Sequence, residues 1–520
     1  MPENVLYWTY RVLRKGLSAA VKKYNIILLM TDQHRFDCLG CAGNPVIETP
    51  NLDFLASQGT LFRHAYTPCP SCIPARACLM SGMNPWNTGV LGMGRGQGEM
   101  GGGFSQTLPG ELAKAGYYTK GIGKMHFGPQ RLLNGFHSIE LDESARVQAP
   151  GFVSDYKEWF DRNKTGDYSF VDHGIAYNSW MARPWHAPEF LHPTNWVINQ
   201  SIEFLKKRDP SMPYFLKASF ARPHSPYDAL PYYFEHYEKK ELPKAWRGDW
   251  DAVHDVPQDA ADINAWQGRR TDEEIALARA GYYGSVTHID HQIGRLINFL
   301  QRSGEYENTI ILFTSDHGDM LGDHNLWRKT YAYEGSAHIP FLIRLPKELR
   351  ENAPRVCDVP VSLYDILPTL LGLVGLPIPE AVDGLDLSGL MRGETECSRE
   401  YLHGEHCTCY AERQETQYLT DGRWKYVWLP RVGVEQLFDL NNDPYENNDL
   451  AADTAYAEEL ALWRGRMVEI LSQRDCGLTD GGELVCQAGR GPIISPKYQE
   501  RIQNWGFDSE KWKQSMRLVY

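Results

Sequence analysis

The stretch PSCIPARACLMSG, residues 70–82, holds a cysteine, a proline two places on and an arginine two places beyond that. Pro74 is tolerated only in the first turn of a helix, and Ala75, Ala77 and Leu79 favour helix after it, so Cys72 marks a helix start. Its side chain there lies beside unpaired backbone N–H groups at the positive end of the dipole, a place suited to an anion. Arg76, four residues on, shares that helix face and can reach back to it. Taken alone, these residues also describe a buried inert thiol, or a redox or zinc pair made with Cys69.

The other residues with chemistry to offer stand behind apolar runs. The runs at 24–30, 117–123, 214–220, 309–316 and 341–345 read as buried strands. The loops that follow them carry Asp32 and Gln33, Lys124 and His126, His224, and Asp316 and His317. In open α/β sheets ligands bind beyond the carboxyl ends of the strands, so these loops point at one site. Between the strands lie helical patterns, notably TPNLDFLASQG with Thr49 as its cap, 194–207 and 272–302. The alternation predicts an α/β fold, a large mixed, mostly parallel sheet sandwiched by helices.

After residue 376 the texture changes. LPIPEAVDG is a Pro/Gly-marked connection, and TQYLTDGRWKYVWLP with EQLFDLNNDPYENNDL predicts a smaller C-terminal α+β subdomain on an antiparallel sheet, with a helix at 454–472. The expected organisation is an N-terminal extension (1–23), a catalytic domain (24–376), the subdomain (377–480) and a tail (481–520).

A net charge of −13 argues against a nucleic-acid surface, so an anionic substrate must be drawn by a few local cations. The 11 cysteines have no repeated spacing, which fits a reduced chain. No run approaches the length of a membrane span, and the apolar stretch GLSAAV is too short for a signal peptide, so no membrane partner and a cytoplasmic location are expected. A start at Val21, read as a GTG codon, would place the first strand at the N-terminus.

CIPARACLMSG resembles the C-x-P-S/A-R signature of the formylglycine-dependent type I sulfatases of the alkaline phosphatase superfamily. GYYTKGIGKMH, residues 116–126, is similar to their second signature, G-Y-x-T-x-x-x-G-K-x-H. The likeness takes in TDQ at the first strand, PHSP at 223–226, SDHGD at 315–319 and LFDLNNDPYE, covering most of 24–470. Cys69 is out of register, because Ser71 and Ile73 stand where Pro and Arg would be needed.

The resemblance implies an alkaline-phosphatase-like fold and a sulfuric ester hydrolase acting on a sulfated sugar or other small organosulfate. It implies that Cys72 is oxidised to formylglycine by a formylglycine-generating or anaerobic sulfatase-maturating enzyme. It assigns Arg76, Lys124, His126, His224 and Lys329 to catalysis. Asp32, Gln33, Asp316 and His317, with residue 72, stand at the family's metal positions, with Ca²⁺ favoured and Mn²⁺ the alternative. Gln33 and His317 depart from the Asp and Asn of many sulfatases toward a branch with phosphonate monoester and phosphodiester hydrolases, the competing activity. That branch tends to replace the Lys124 and His126 pair. Arg35, His338 and His403 are candidate substrate contacts, and the aromatic segment 145–196 is either a sugar-stacking rim or packing. A binding protein that keeps Cys72 as a thiol is the reading from another functional class.

Overall fold

The computed structural model describes residues 23–93, 102–147, 151–256, 262, 264–394, 399–506 and 508. The expected extension lies, but for Lys23, outside the described residues, as does Val21. The chain forms β1 (Asn25–Asp32), β2 (Gly59–Phe62), β3 (Ala65–Tyr66), β4 (Tyr118–Gly123), β5 (Ser138–Leu141), β6 (Tyr214–Pro223), β7 (Thr309–Ser315), β8 (Phe341–Arg344), β9 (Val356–Cys357) and β10 (Val361–Ser362). Eight of these make one sheet in the order β5-β4-β6-β1-β7-β8-β2-β9. β1 runs parallel to β6 and β7, and β8 is antiparallel to both its neighbours.

The two-residue period of β1 divides the interior. Ile26, Leu28 and Met30 enter one core with Ala75, Leu79 and Leu370; Ile27 and Leu29 enter the other with Trp196, Ile289 and Leu296. Helices Cys72–Ser81 and Ile366–Leu373 cover the first face, and Pro193–Lys207 and Asp272–Arg302 cover the second. Each fully buried aliphatic side chain contributes about 1.5–3 kcal/mol, so the central strand is held from both sides.

Thr49 does not cap the helix Pro50–Ser57 with its side chain. Asp290, from the long helix, accepts the N–H groups of Asn51 and Leu52 instead, a carboxylate being well suited to a helix N-terminus. Thr49 Oγ1 donates to Asp53.

The C-terminal sheet is antiparallel: β11 (Leu402–His406), β12 (Thr416–Thr420), β13 (Trp424–Leu429) and β14 (Val434–Asp439), in that order. Leu419, Tyr426 and Leu437 pack on Trp463 and Met467 of helix Ala457–Ser472. Tyr418, Val427 and Phe438, from the opposite face, pack on Tyr66, Tyr331 and Tyr333. This brings the subdomain against the loops beyond the large sheet. A helix in the tail, Pro496–Trp505, places Tyr498 against Ile73 and Ala77. No helix of the described residues is long and apolar enough to cross a membrane.

Candidate active site

β1 and β7 are neighbours and end in register, which sets Asp32 and Asp316 side by side. Helix Cys72–Ser81 begins in front of them. Cys72 Sγ lies 3.7 Å from Asp32 Oδ1, 3.2 Å from His317 Nε2 and 3.0 Å from Lys329 Nζ. Arg76, one turn along, ties the two strand ends together. Its Nε donates to Asp316 Oδ2 at 2.9 Å and its Nη2 to Asp32 Oδ2 at 3.0 Å. Nη1 donates to the Lys124 carbonyl at 2.6 Å and to Ser219 Oγ at 3.0 Å. Arg76 thus holds the carboxylates beside Cys72.

Lys124 follows Gly123, where φ is 93° and a Cβ would stand 1.9 Å from the Ser219 carbonyl oxygen. Only glycine permits that approach of β4 to β6, and the turn sends Lys124 Nζ to Asp32 Oδ2 at 2.8 Å. His126 has a left-handed backbone, φ 63°, and both its ring nitrogens are buried without a hydrogen-bond partner among the described residues. Glu143, brought in behind β5, accepts the N–H groups of Met125 (3.0 Å) and His126 (2.9 Å) on one oxygen.

Asp32, Cys72, Asp316 and His317 offer ligand atoms that all lie within 4.8 Å of one another. His317 Nδ1 bonds the Gly318 carbonyl at 2.8 Å, which places a proton there and turns Nε2 toward Cys72 Sγ. Gln33, at φ 70°, donates Nε2 to Asp319, and its Oε1 is buried with no partner. An orphaned buried oxygen is rare. The two carboxylates and the imidazole make a donor set that fits a divalent cation.

Burial opposes ionisation of Asp32, but Lys124, Arg76 and Lys329 outweigh it and hold the carboxyl well below its usual range. Burial and Asp32 oppose the Cys72 thiolate, yet Lys329, Lys124 and His317 bring the thiol below its ordinary value. Burial pushes His224 far down, and the charges of Lys329 and Lys124 push the same way, so its imidazole is neutral. The cluster can therefore hold an anion beside residue 72 although the whole chain is acidic.

Residues 24–376 match the family model described as Sulfatase. The chain belongs to the sulfatase family. Residues 322–473 match the C-terminal model of N-sulphoglucosamine sulphohydrolase. An arylsulfatase of Clostridium perfringens is 43% identical over 89% of this chain and 97% of its own length. The structure of a phosphonate monoester hydrolase of Agrobacterium radiobacter superposes with a TM-score of 0.72 at 25% identity, covering 89% of this chain and 100% of that one. A structure solved with its substrate D-glucosamine-2-N,6-O-disulfate gives 0.68 at 21% identity, covering 87% and 98%. This chain is a sulfuric ester hydrolase with the mixed sheet and C-terminal antiparallel sheet of its family.

In this sulfatase, the residues expected in catalysis other than His126 are joined by direct contacts around Cys72; His126 is held by its backbone N–H to Glu143. Each of the three expected substrate contacts has partners within the protein. Arg35 spends its guanidinium on Asp37 and Asp323, both at 2.7 Å. The His338 ring is sandwiched between Phe36 and Tyr66, with Nδ1 2.5 Å from Glu334. His403 bonds Gln417 at 2.9 Å beside the Glu405–Arg474 pair. From the same HGEH run it is His406 that reaches the site, with Nε2 2.8 Å from Ser71 Oγ. Strand alternation explains the difference, since His406 shares a face with Leu402, which packs toward the large sheet, and His403 does not. Of the aromatic segment, Tyr156, Trp185 and Trp196 are core residues. Among the described residues of that segment Tyr177 alone stacks on a site residue, His224, with ring centroids 5.2 Å apart.

Proposed function

We propose that the enzyme hydrolyses a sulfate ester of a carbohydrate or another small organosulfate through a formylglycine made from Cys72, with one divalent cation held by Asp32, Gln33, Asp316 and His317. The observation that carries this reading is the position of Cys72 Sγ, at a helix start and within 3.2 Å of both His317 Nε2 and Lys329 Nζ. A maturation enzyme oxidises the Cys72 side chain to an aldehyde, which adds water to give two geminal hydroxyls. One attacks sulfur and displaces the alcohol. The other gives up its proton, the carbon–oxygen bond to sulfate breaks, and the aldehyde returns. Covalent catalysis is thereby divided into two feasible steps, with an exit that a serine ester of sulfate would lack.

The chain's own residues supply the rest. His126, whose ring nitrogens are unengaged, takes the proton of the second step. Lys124, Lys329 and Arg76 bring positive charge to the sulfate oxygens. When bound, the cation lowers the pKa of the attacking hydroxyl. Oxygen donors suit Ca²⁺, and the imidazole admits Mn²⁺. A sugar substrate is supported by the structural neighbour that holds a sulfated glucosamine.

The test is tandem mass spectrometry of the tryptic peptide His64–Arg76 from protein made with a maturation enzyme, alongside sulfate release from model esters. An aldehyde at 72, an intact Cys69 and turnover are expected. Two unmodified thiols in active protein would overturn the mechanism. Gln33, His317 and the likeness to a phosphonate monoester hydrolase favour a second reading on phosphodiesters; aryl phosphodiester turnover exceeding aryl sulfate turnover would establish it.

A further inference from the structure

Arg328 precedes Lys329 in the chain, and Lys329 Nζ is 3.0 Å from Cys72 Sγ. Arg328 is 8% exposed with a left-handed backbone, φ 68°. Its backbone N–H goes to Asp319 Oδ1 at 2.9 Å and its Nη2 to the Asn264 carbonyl. The guanidinium stands 5.5 Å from the centroid of Tyr410, and Nε is buried without a partner among the described residues. Several arginines buried to the same degree are neutralised, Arg76 by Asp32 and Asp316, Arg222 by Asp228 and Arg431 by Glu415, whereas Arg270, 7% exposed over the Trp180 ring, shares with Arg328 the lack of an ion pair among the described residues. Among the described residues no carboxylate forms an ion pair with Arg328. Burying a cation without a counter-charge is costly, and the Tyr410 ring offsets only part of that cost.

The surroundings of the guanidinium are firm. The Tyr410 ring stacks on Trp266, with centroids 5.8 Å apart, and Gln414 Oε1 holds the N–H groups of Tyr410 and Ala411. Cys409, beside Tyr410, lies within electrostatic reach of Lys329, Arg328, Arg490 and Cys72. The chain thus places an uncompensated guanidinium next to Lys329, which contacts Cys72, and the C-terminal subdomain sets the Tyr410 ring against it. We propose that Arg328, backed by Tyr410, binds a second oxyanion on the alcohol portion of the substrate, so that preferred esters carry a negative charge besides the scissile sulfate. The inference rests on the sulfatase chemistry proposed above and narrows its substrate class.

The test uses the matured enzyme with 4-nitrophenyl sulfate and two ring analogues, one carrying a carboxylate and one a second sulfate. At least one analogue should exceed the parent about tenfold in kcat/KM, mainly through KM, as expected of a hydrogen bond between charged groups. The advantage should shrink as salt is raised. In Arg328→Asn, chosen because asparagine tolerates a left-handed backbone, the ratio of analogue to parent should fall about tenfold, and Arg328→Lys should restore part of it. A purely structural clamp on Asn264 would lower all three esters alike. A wild-type ratio below about threefold for both analogues overturns the proposal, whatever the variants do, and so does a ratio that survives Arg328→Asn. Failure of all three esters with protein carrying the aldehyde at residue 72 would instead reject the chemistry on which the inference rests.

Discussion

Nζ of Lys329 lies 2.9 Å from Nε2 of His224, and only the lysine has a proton to give at that contact. His224 Nδ1 is 2.6 Å from the Ser225 carbonyl, which places the imidazole proton there, and burial beside two lysines keeps the ring neutral. Nε2 is therefore an acceptor. The sequence alone leaves open which of the pair protonates the departing alcohol; the geometry favours Lys329, with His224 orienting it.

Lys329→Ala should accordingly lower kcat by about 10²–10⁴ on alkyl sulfates, which need a proton on the leaving oxygen. Nitrophenyl sulfate, whose leaving group needs little help, should lose far less. The measurement is the dependence of rate on leaving-group pKa, which should steepen in the variant. Equal losses on both ester types would show that Lys329 serves binding and not protonation.

Glu143 makes a prediction about pH. Burial raises its pKa to about 7, although Lys124 and the N–H of Met125 lower it; Arg76 lowers it too, and Asp142 opposes them. A folded-state pKa above the unfolded one stabilises the fold below pH 4.5, and that contribution is lost as pH rises through about 7. Glu143→Gln keeps an acceptor for Met125 and His126 but cannot ionise. Relative to wild type, the variant should gain about 3 kcal/mol of stability between pH 4.5 and pH 8, read from urea midpoints at each pH. A constant difference would mean that Glu143 is already ionised throughout.

What the sequence made legible were features with a one-dimensional signal. Asp32, Lys124, His224 and Asp316 each end or follow an apolar run, and a parallel sheet brings such ends together. The buried pattern of β1 likewise announces a strand covered on both faces. Pairings across the chain left no such mark. Thr49 reads as a helix cap, yet Asp290 holds that terminus from a helix more than two hundred residues on. Arg35 and His338 look available until Asp323, Glu334 and the ring of Tyr66 are placed around them. His406 could have been preferred to His403 by counting strand alternation from Leu402. Arg328 gave no signal at all, because its lack of a carboxylate is a property of the folded surroundings.

Arg76 is bound to four acceptors on or directly after four strands, β1, β4, β6 and β7, and Lys cannot reproduce that fork. Arg76→Lys should leave Asp316 or Asp32 short of a buried partner and cost about 3–5 kcal/mol, measured by chemical denaturation. It should also lower turnover, because the carboxylates beside residue 72 lose their alignment. A variant of wild-type stability would mean that Lys124 alone can balance both carboxylates.

The donor set also predicts how the protein answers to metal. Arg76 and Lys124 contact the carboxylates within 3.0 Å, so their charges are partly balanced and the fold should survive chelation. Added cation should then raise the melting temperature as its binding free energy is added to the native state, about 2.7 kcal/mol at a hundredfold excess over Kd. Gln33→Ala removes the orphaned oxygen and should weaken that response about tenfold in Kd, whereas Asp316→Asn, which changes a charge, should weaken it further. Titration calorimetry with Ca²⁺ and Mn²⁺ reads both affinity and preference without relying on turnover. If Gln33→Ala binds as tightly as wild type, its buried Oε1 is not a ligand; if neither ion binds the wild type, the cluster of Asp32, Cys72, Asp316 and His317 is held together by Arg76 and the lysines alone.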